Sequence, residues 1–452
     1  MLISNYDIRL FYRCPMLLYL NKFGPEQERD IHPILGRNRS RSKAKTPSDE
    51  EIKERANRTK ELMIQGKSQI SQSWIHSGNF ATRIERLKKV ENESIFGSYS
   101  YMPILLRNVK HLRKPLIMEG TYDAYVCSLL QETNIDTFQI YRNNEYEIHS
   151  IENTIEDLKE DLDKIGKILN SELKITPNYT RNCRVCEWRN YCKKLVDESR
   201  DVTLISGVGK RIKKQLLDYG ITDVPGLAQA DIKELKIDNL SKKDTEYLIL
   251  QAQSIEEEAE KIRGEMTFLS STYELYVDLE GSSHHDFVWI IGCLLRKGNE
   301  HRYLHFLAES PKKEEQMFRS FLKFLEELDG DFTVYHWSLA EPQYFRSLAA
   351  KYSIKSKSLS NLLNNTFDLF PIFKDKIILP IYTYTLKDVA NWLGFEWFDP
   401  LVDGATSIIL FDKWYLRNDR AALDKAISYN SDDCKALIIV KDYLVKKISV
   451  KD

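Results

Sequence analysis

From residue 270 onward the chain is written as strand-length apolar runs followed by helical ones. YELYVDLEG, DFVWIIGCLLR and HRYLHFLAE come first. KKEEQMFRSFLKFLEEL then repeats its apolar residues at helical spacing, FTVYHW is again a strand, and the remainder is mainly helical. Such alternation builds a sheet covered by helices, an α/β layer arrangement. Within the first run Asp278 and Glu280 stand two apart. Side chains two apart on a strand share a face, so Val277 and Leu279 turn one way and the two carboxylates the other. Like charges so close repel unless something cationic sits between them. A strand face of solvated acids is one reading, and half of a divalent-metal site is the other.

The 452 residues are enough for two or three domains, and 42% hydrophobic with 29% charged residues is a globular composition. Basic and acidic residues nearly cancel, 66 against 67, so any attraction to nucleic acid must be local. No apolar run approaches about 18 residues. The opening MLISNYDIRLFYRCPMLLYL is broken by Asp7, Arg9 and Arg13, so the cytoplasm is the expected location. Three regions are expected: 1–200, mixed helix and strand; 201–262, a short helical module with SIEEEAEKIRGE as its charged exit into a linker; and 263–452. In the first, GRNRSRSKAKTPSDEE spreads Arg37, Arg39, Arg41, Lys43 and Lys45 among small polar residues. That is a flexible basic loop, which either touches phosphates or is merely solvated. Thr46-Pro47-Ser48-Asp49 marks the start of a helix running towards Gly66.

Further acids bear on Asp278 and Glu280. TVYHWSLAEPQYFRSLA places Glu341 in the first turn of a helix after a strand, and AISYNSDDCKALIIVKDYL is a helix whose Tyr429 and Asp433, four apart, share a face. Asp432 reads as an exposed helix acid, His284 and His285 as solvent-facing turn residues, and Asp368 as a cap. An acid pair on a strand, a third acid after a later strand and Y-x-x-x-D on a late helix resemble the DEDD exonuclease superfamily of the RNase H-like fold, in its tyrosine subgroup. The nearest resemblance is to the RNase H-like domain of YprB-type and RecB-like nucleases. It implies Asp278, Glu280 and Asp433 as ligands of two Mg²⁺ or Mn²⁺, with Tyr429 orienting the attacking water. Glu341 stands where most of the superfamily has aspartate, and Ser428 where its other subgroup has histidine. Such ions take oxygen ligands, which suits carboxylates.

LISGVGKRIKKQLLDYGITDVPGLAQA resembles a helix-hairpin-helix module, in which Gly207 and Gly209 bring backbone N–H groups to a phosphate. Lys210 and Arg211, with Lys213 and Lys214, add charge, and such contacts ignore base sequence. A protein-docking hairpin is the alternative. RNCRVCEWRNYCKK supplies Cys183, Cys186 and Cys192, and a closed site needs a fourth thiolate, for which Cys14 is the natural candidate. An early Cys-Pro with a late C-x2-C-x5-C resembles the iron–sulfur staple of RecB-like and AddB-type nucleases. It implies a 4Fe–4S cluster, with zinc as the competing occupant. Cys127, Cys293 and Cys434 read as buried thiols.

Over essentially the whole chain these parts resemble the RecB-like nuclease family, whose first domain is a PD-(D/E)XK fold. The matching strands here are ATRIERL and YSYMPILLRNVK. Glu85 stands for the first acid, but Pro103-Ile104-Leu105-Leu106-Arg107 lacks the second acid and the lysine, and a placement through Asp123 and Asp136 also lacks a lysine. The resemblance therefore implies a mixed, multidomain α/β chain: a degenerate RecB-like domain (1–200), a helix-hairpin-helix module (201–262) and an RNase H-like exonuclease domain (263–452). The expected function is a metal-dependent nuclease, a 3′→5′ exonuclease on DNA or RNA with DNA the favoured partner. The rival is a nucleic-acid-binding scaffold with both sites inactive.

Overall fold

A computed structural model describes residues 2–30, 47–109, 111–180, 183, 185–282 and 287–449. The basic loop of Arg37 to Lys45 and the pair His284 and His285 lie outside the described residues. The chain divides into two compact units. One takes the described residues through Asn178 together with Cys186–Cys192, and the other takes Tyr179, Thr180, Cys183, Val185 and the described residues from Lys193 onward.

The first unit is a mixed sheet with helices. Its strands are β1 (Ile3–Ser4), β2 (Gln69–Ser77), β3 (Phe80–Val90), β4 (Ser100–Leu106), β5 (Thr137–Arg142) and β6 (Glu145–Ser150), ordered β1-β3-β4-β5-β6 with β2 also on β3. The strands holding ATRIERL and YSYMPILL are thus neighbours, and all of β4 but Leu106 is buried. Helices α1 (Asn5–Arg13), α2 (Pro15–Phe23), α3 (Asp49–Ile64), α4 (Lys114–Gln131) and α5 (Ile155–Leu169) accompany the sheet. Ser48 caps α3 as its sequence announces, its side chain accepting from Glu51 N–H. A Cβ on Gly120 of α4 would meet the Phe138 ring at 2.2 Å, so only glycine lets this helix lie so close to β5.

The second unit opens with helices, α6 (Arg189–Glu198) entering it and α7 (Lys210–Asp218), α8 (Val224–Ala228) and α9 (Lys242–Glu256) following. These enclose a small core of Val202, Leu204, Val208, Leu216, Leu227 and Leu248. The segment expected as a charged exit into a linker carries secondary structure. Ser254 to Glu256 finish α9, and β7 (Lys261–Ile262) pairs with β13 (Ile377–Ile378). Glu260 pairs with Lys447 and Arg263 meets Glu246 of α9 at 3.1 Å, so charges that looked like linker composition make ion pairs within the unit.

That remainder is a five-stranded sheet of β8 (Tyr273–Ser282), β9 (Phe287–Lys297), β10 (Glu300–Leu307), β11 (Phe332–His336) and β12 (Thr366–Asp368), ordered β10-β9-β8-β11-β12. Strand β9 runs antiparallel to both neighbours, whereas β11 and β12 run parallel to β8. Around it lie α10 (Glu314–Glu326), α11 (Ala340–Lys351), α12 (Lys357–Asn364), α13 (Ile372–Asp375), α14 (Leu386–Trp392), α15 (Gly404–Arg417) and α16 (Arg420–Ile448). Leu275, Val277 and Leu279 enter one core, and Tyr276 enters a second with Leu437, Val440 and Leu444 of α16. Strand alternation therefore delivers Asp278 and Glu280 to the face covered by α16. Among the described residues no helix is long and apolar enough to cross a membrane.

Candidate active site

Three carboxylates from the two elements meet at the end of β8. Asp278, Glu280 and Asp433 each bring one oxygen within 4.8 Å of the others. Asp278 and Glu280 share their face by the strand period, and Asp433 comes from the middle of α16. Each is held through a neutral donor. Asn430 Nδ2 donates to Asp278 Oδ2 at 2.7 Å, Ser407 Oγ to Glu280 Oε2 at 2.8 Å, and Trp397 Nε1 to Asp433 Oδ1 at 2.9 Å. A neutral donor orients a carboxylate without cancelling its charge, and each of these occupies one oxygen of the pair.

The donors are themselves fixed. Asn430 also donates to the Asp278 carbonyl at 3.1 Å and accepts from Tyr303 OH at 2.7 Å. Gly292, opposite Asp278 on β9, makes room for it: a Cβ there would lie 1.7 Å from Asn430 Oδ1. Ser407 sits in the first turn of α15, whose N-cap Asp403 accepts from Thr406 N–H.

Burial without a cation shows in the protonation of the cluster. Burial, then the Asp433, Glu280 and Glu341 charges, push the Asp278 carboxyl well above its usual range. Burial and the Asp433 charge push Glu280 up to about 8. Burial pushes Asp433 up to about 7, against the donors Trp397 and Tyr429 and the more distant Lys387 charge. On the same strand face, Glu274 meets Lys441 at 2.6 Å and also pairs with Arg296; these offset its burial and hold its carboxyl below the usual range. An oxygen-only set of three carboxylates, held by neutral donors, fits Mg²⁺ or Mn²⁺.

Other expected residues are placed differently. Tyr429 lies one turn before Asp433 with its hydroxyl engaged by that carboxylate, and burial raises the phenol well above its usual range. Glu341 is buried in the first turn of α11 but stands outside the group of three. Its Oε2 lies 3.5 Å from His336 Nδ1, and burial raises its carboxyl. Asp368 caps the turn after β11, accepting from Ser338 N–H at 2.8 Å and Phe370 N–H at 2.9 Å. Asp432, expected to be exposed, is buried because it accepts from Phe398 N–H at 2.9 Å and pairs with Lys435 at 3.0 Å.

In the helical part, a 3-10 turn (Val202–Leu204) leads to Gly207, whose φ of +100° suits glycine alone, and Gly209 is the N-cap of α7. Lys210, Arg211 and Lys214 are exposed. Lys213 is not available as surface charge, because it is buried against Asp201 at 2.6 Å. Of the cluster cysteines, Cys14 joins α1 to α2 and is half-buried, Cys186 is half-buried, and Cys192 is buried within α6. Half-buried Cys183 has its Sγ 3.4 Å from Thr180 N. Cys127, Cys293 and Cys434 are buried thiols.

The first unit also gathers acids. Glu85 on β3, Glu119 and Asp123 on α4 come together around Arg107, which reaches Glu85 at 2.7 Å and Glu119 at 2.8 Å. Arg9 approaches Glu119 at 3.5 Å. Asp123 accepts from Thr82, and burial with the Glu119 charge lifts its carboxyl well above the usual range. Asp136 lies in the segment just before β5.

Sequence reasoning missed Trp397, Ser407 and Asn430. Asn430 had the one usable signal, its place between Tyr429 and Asp433 on a helix face that must be buried. No curated protein matches the chain. Residues 275–445 match RNase_H_2, a family of the RNase_H superfamily, so the sheet that carries the three carboxylates is similar to a nuclease fold.

Proposed function

We propose that the protein is a metal-dependent nuclease that hydrolyses phosphodiester bonds in the second unit, as a 3′→5′ exonuclease on DNA or RNA. The observation that carries this is the trio of half-buried Asp278 with buried Glu280 and Asp433, within 4.8 Å of one another and held by neutral donors alone. These three would hold two divalent cations, which supply Lewis acidity to activate water and to offset charge on the leaving oxygen. Tyr429, engaged with Asp433, orients the attacking water through its hydroxyl. Glu341 serves from outside the trio, its Oε2 3.5 Å from His336 Nδ1.

The other parts bind rather than cut. Gly207, Gly209, Lys210 and Arg211 form a sequence-independent phosphate contact, favouring DNA. Cys14, Cys183, Cys186 and Cys192 hold a 4Fe–4S cluster; a thiolate set suits it, and a backbone N–H beside Cys183 Sγ is the kind of contact that tunes such clusters. The first unit cleaves nothing, because Arg107 occupies the space between its acids.

Labelled single- and double-stranded DNA and RNA, incubated with Mg²⁺ or Mn²⁺, test the reading. The full chain should shorten one of them, and Asp278→Asn should lose several orders of magnitude of that rate while keeping its fold. Full activity in Asp278→Asn, or none in the parent chain, sinks the assignment. Anaerobically purified protein should be brown and lose its colour in Cys186→Ser; stoichiometric zinc without iron would replace the cluster by the zinc alternative.

A further inference from the structure

The sheet of the first unit turns one face to α4 and leaves the other open. On the covered face Phe138 lies against Gly120 of α4, Glu85 meets Arg107, and Leu87, Leu105 and Ile140 are buried. Strand alternation sends the intervening side chains the other way. Pairing sets these in rows: Arg86, Ile104, Gln139 and Ile148 in one, Leu106, Tyr141 and Tyr146 in the next, with Lys88 beside Met102. Ile148 is 67% exposed, Tyr146 is 50% exposed, and Lys88 is exposed. Arg86 Nη1 donates to Tyr146 OH at 2.8 Å although the two start three strands apart. Their side chains therefore reach towards each other over Ile104 and Gln139, which are buried beneath them. The Tyr141 and Tyr146 rings lie 4.7 Å apart.

The charges decide what fits. The acids of β2 to β6 are Glu85, Glu145 and Glu147, and alternation puts all three on the covered face. Glu147 is paired there with Arg142 at 2.8 Å. On the open face Arg86 and Lys88 meet no carboxylate among the described residues. An acid-free surface with two uncompensated cations attracts phosphate. Its exposed tyrosine offers a flat ring to a base, and only an unpaired strand can present a base face, because a duplex keeps its bases stacked inside.

We propose that this open face binds a single strand of nucleic acid, with phosphates on Arg86 and Lys88 and a base on the Tyr146 ring. DNA and RNA strands share that chemistry. The contact lies on the opposite side of the sheet from the acids around Arg107, and it stands whether or not the trio of the second unit cuts.

Binding without cleavage tests the face. Full-length protein in EDTA is titrated by fluorescence anisotropy with labelled single strands of about 15 nucleotides, one DNA and one RNA, and with a duplex of equal length. Tyr146→Ala should weaken single-strand binding about 5- to 100-fold, as expected for one lost stacking contact, and leave duplex binding unchanged. Tyr146→Phe keeps the ring and should retain affinity. Lys88→Gln, at an exposed position, should lower the slope of log affinity against log salt by about 0.7. Strands carrying photoreactive brominated uracil should crosslink to Tyr141 or Tyr146 of the parent chain. A loss confined to one of the two strands assigns the face to that nucleic acid. Unchanged affinity of Tyr146→Ala for both strands, or crosslinks only outside β5 and β6, overturns the inference and leaves the face to a protein partner.

Discussion

Each unit gathers three acids at a sheet, and the two clusters differ in what stands between them. In the first, Arg107 bridges Glu85 and Glu119, and Arg9 approaches Glu119 from the other side. In the second, Asp278 receives a neutral hydrogen bond from Asn430, Glu280 one from Ser407, and Asp433 those of Trp397 and Tyr429. A guanidinium supplies fixed positive charge and fills the volume an ion would need, so the first cluster is electrically complete. Neutral donors fix geometry but leave the negative charge in place. The same contrast runs along β8, where Glu274 has Lys441 and Arg296 while Asp278 and Glu280 have neither. Acids that are paired serve the fold, and acids kept together without a cation call for one from solution.

The largest effect that could break this comparison is on cleavage. If the trio holds the metal as proposed, Glu280→Gln should reduce hydrolysis by several orders of magnitude, since it would remove a ligand without changing volume. Glu85→Gln should leave the rate unchanged. Initial rates on one labelled strand measure both, and the reverse pattern would make the first unit the enzyme.

Next in size is a stability effect. Arg107→Ala leaves Glu119 buried and Glu85 half-buried without this cation, at a cost of about 3 kcal/mol to the first unit. Arg107→Lys should recover only part of it, because an ammonium cannot span two carboxylates with a planar fork. Mn²⁺ should raise the melting temperature of Arg107→Ala more than that of the parent chain. Equal stability of Arg107→Ala and parent would show that the arginine is not what completes the cluster.

Much of this contrast was legible in the sequence, for reasons that differ by residue. Asp278, Glu280, Tyr429 and Asp433 follow from the periods of a strand and a helix, which any chain of that pattern must obey. The helix after Ser48 and the buried strand around Pro103 follow from capping and from apolar runs. Trp397, Ser407 and Asn430 were not legible as a set, because three separate segments reach the carboxylates only through tertiary packing. Partners also decided the misread charges: Lys213 is spent on Asp201, and Asp432 on Phe398 and Lys435. Arg107 read as a lost lysine, and only its contacts show it as an internal cation.

A smaller effect concerns pH. In the metal-free protein Glu280 and Asp433 are pushed up to about 8 and about 7, whereas an unfolded carboxyl titrates near about 4. The folded state therefore holds protons that the unfolded state has released, and stability falls as pH rises from about 4 to about 8. The melting temperature of the second unit should drop across that window by an amount on the order of 5 °C. Mg²⁺ or Mn²⁺, binding the ionised trio, should oppose the drop most at the alkaline end. A drop of the same size with and without the ion would contradict a metal site at this place.

The smallest effect isolates the neutral donors themselves. Ser407→Ala removes the hydroxyl that donates to Glu280 Oε2 at 2.8 Å and leaves that oxygen buried without this partner. A single hydrogen bond of this kind is worth about 1 kcal/mol, or roughly fivefold in an equilibrium constant. If Ser407 only packs α15, the loss should appear in stability and leave metal affinity alone. If it orients Glu280, Mn²⁺ affinity measured by titration calorimetry should weaken about fivefold, and the Mn²⁺ concentration for half-maximal cleavage should rise with it while the saturated rate changes little. Ser407→Thr keeps the hydroxyl and should restore affinity where its extra methyl is tolerated. An unchanged Mn²⁺ affinity in Ser407→Ala would mean that Glu280 is held by the strand alone, and that the difference between the two clusters lies in the missing arginine rather than in the donors that replace it.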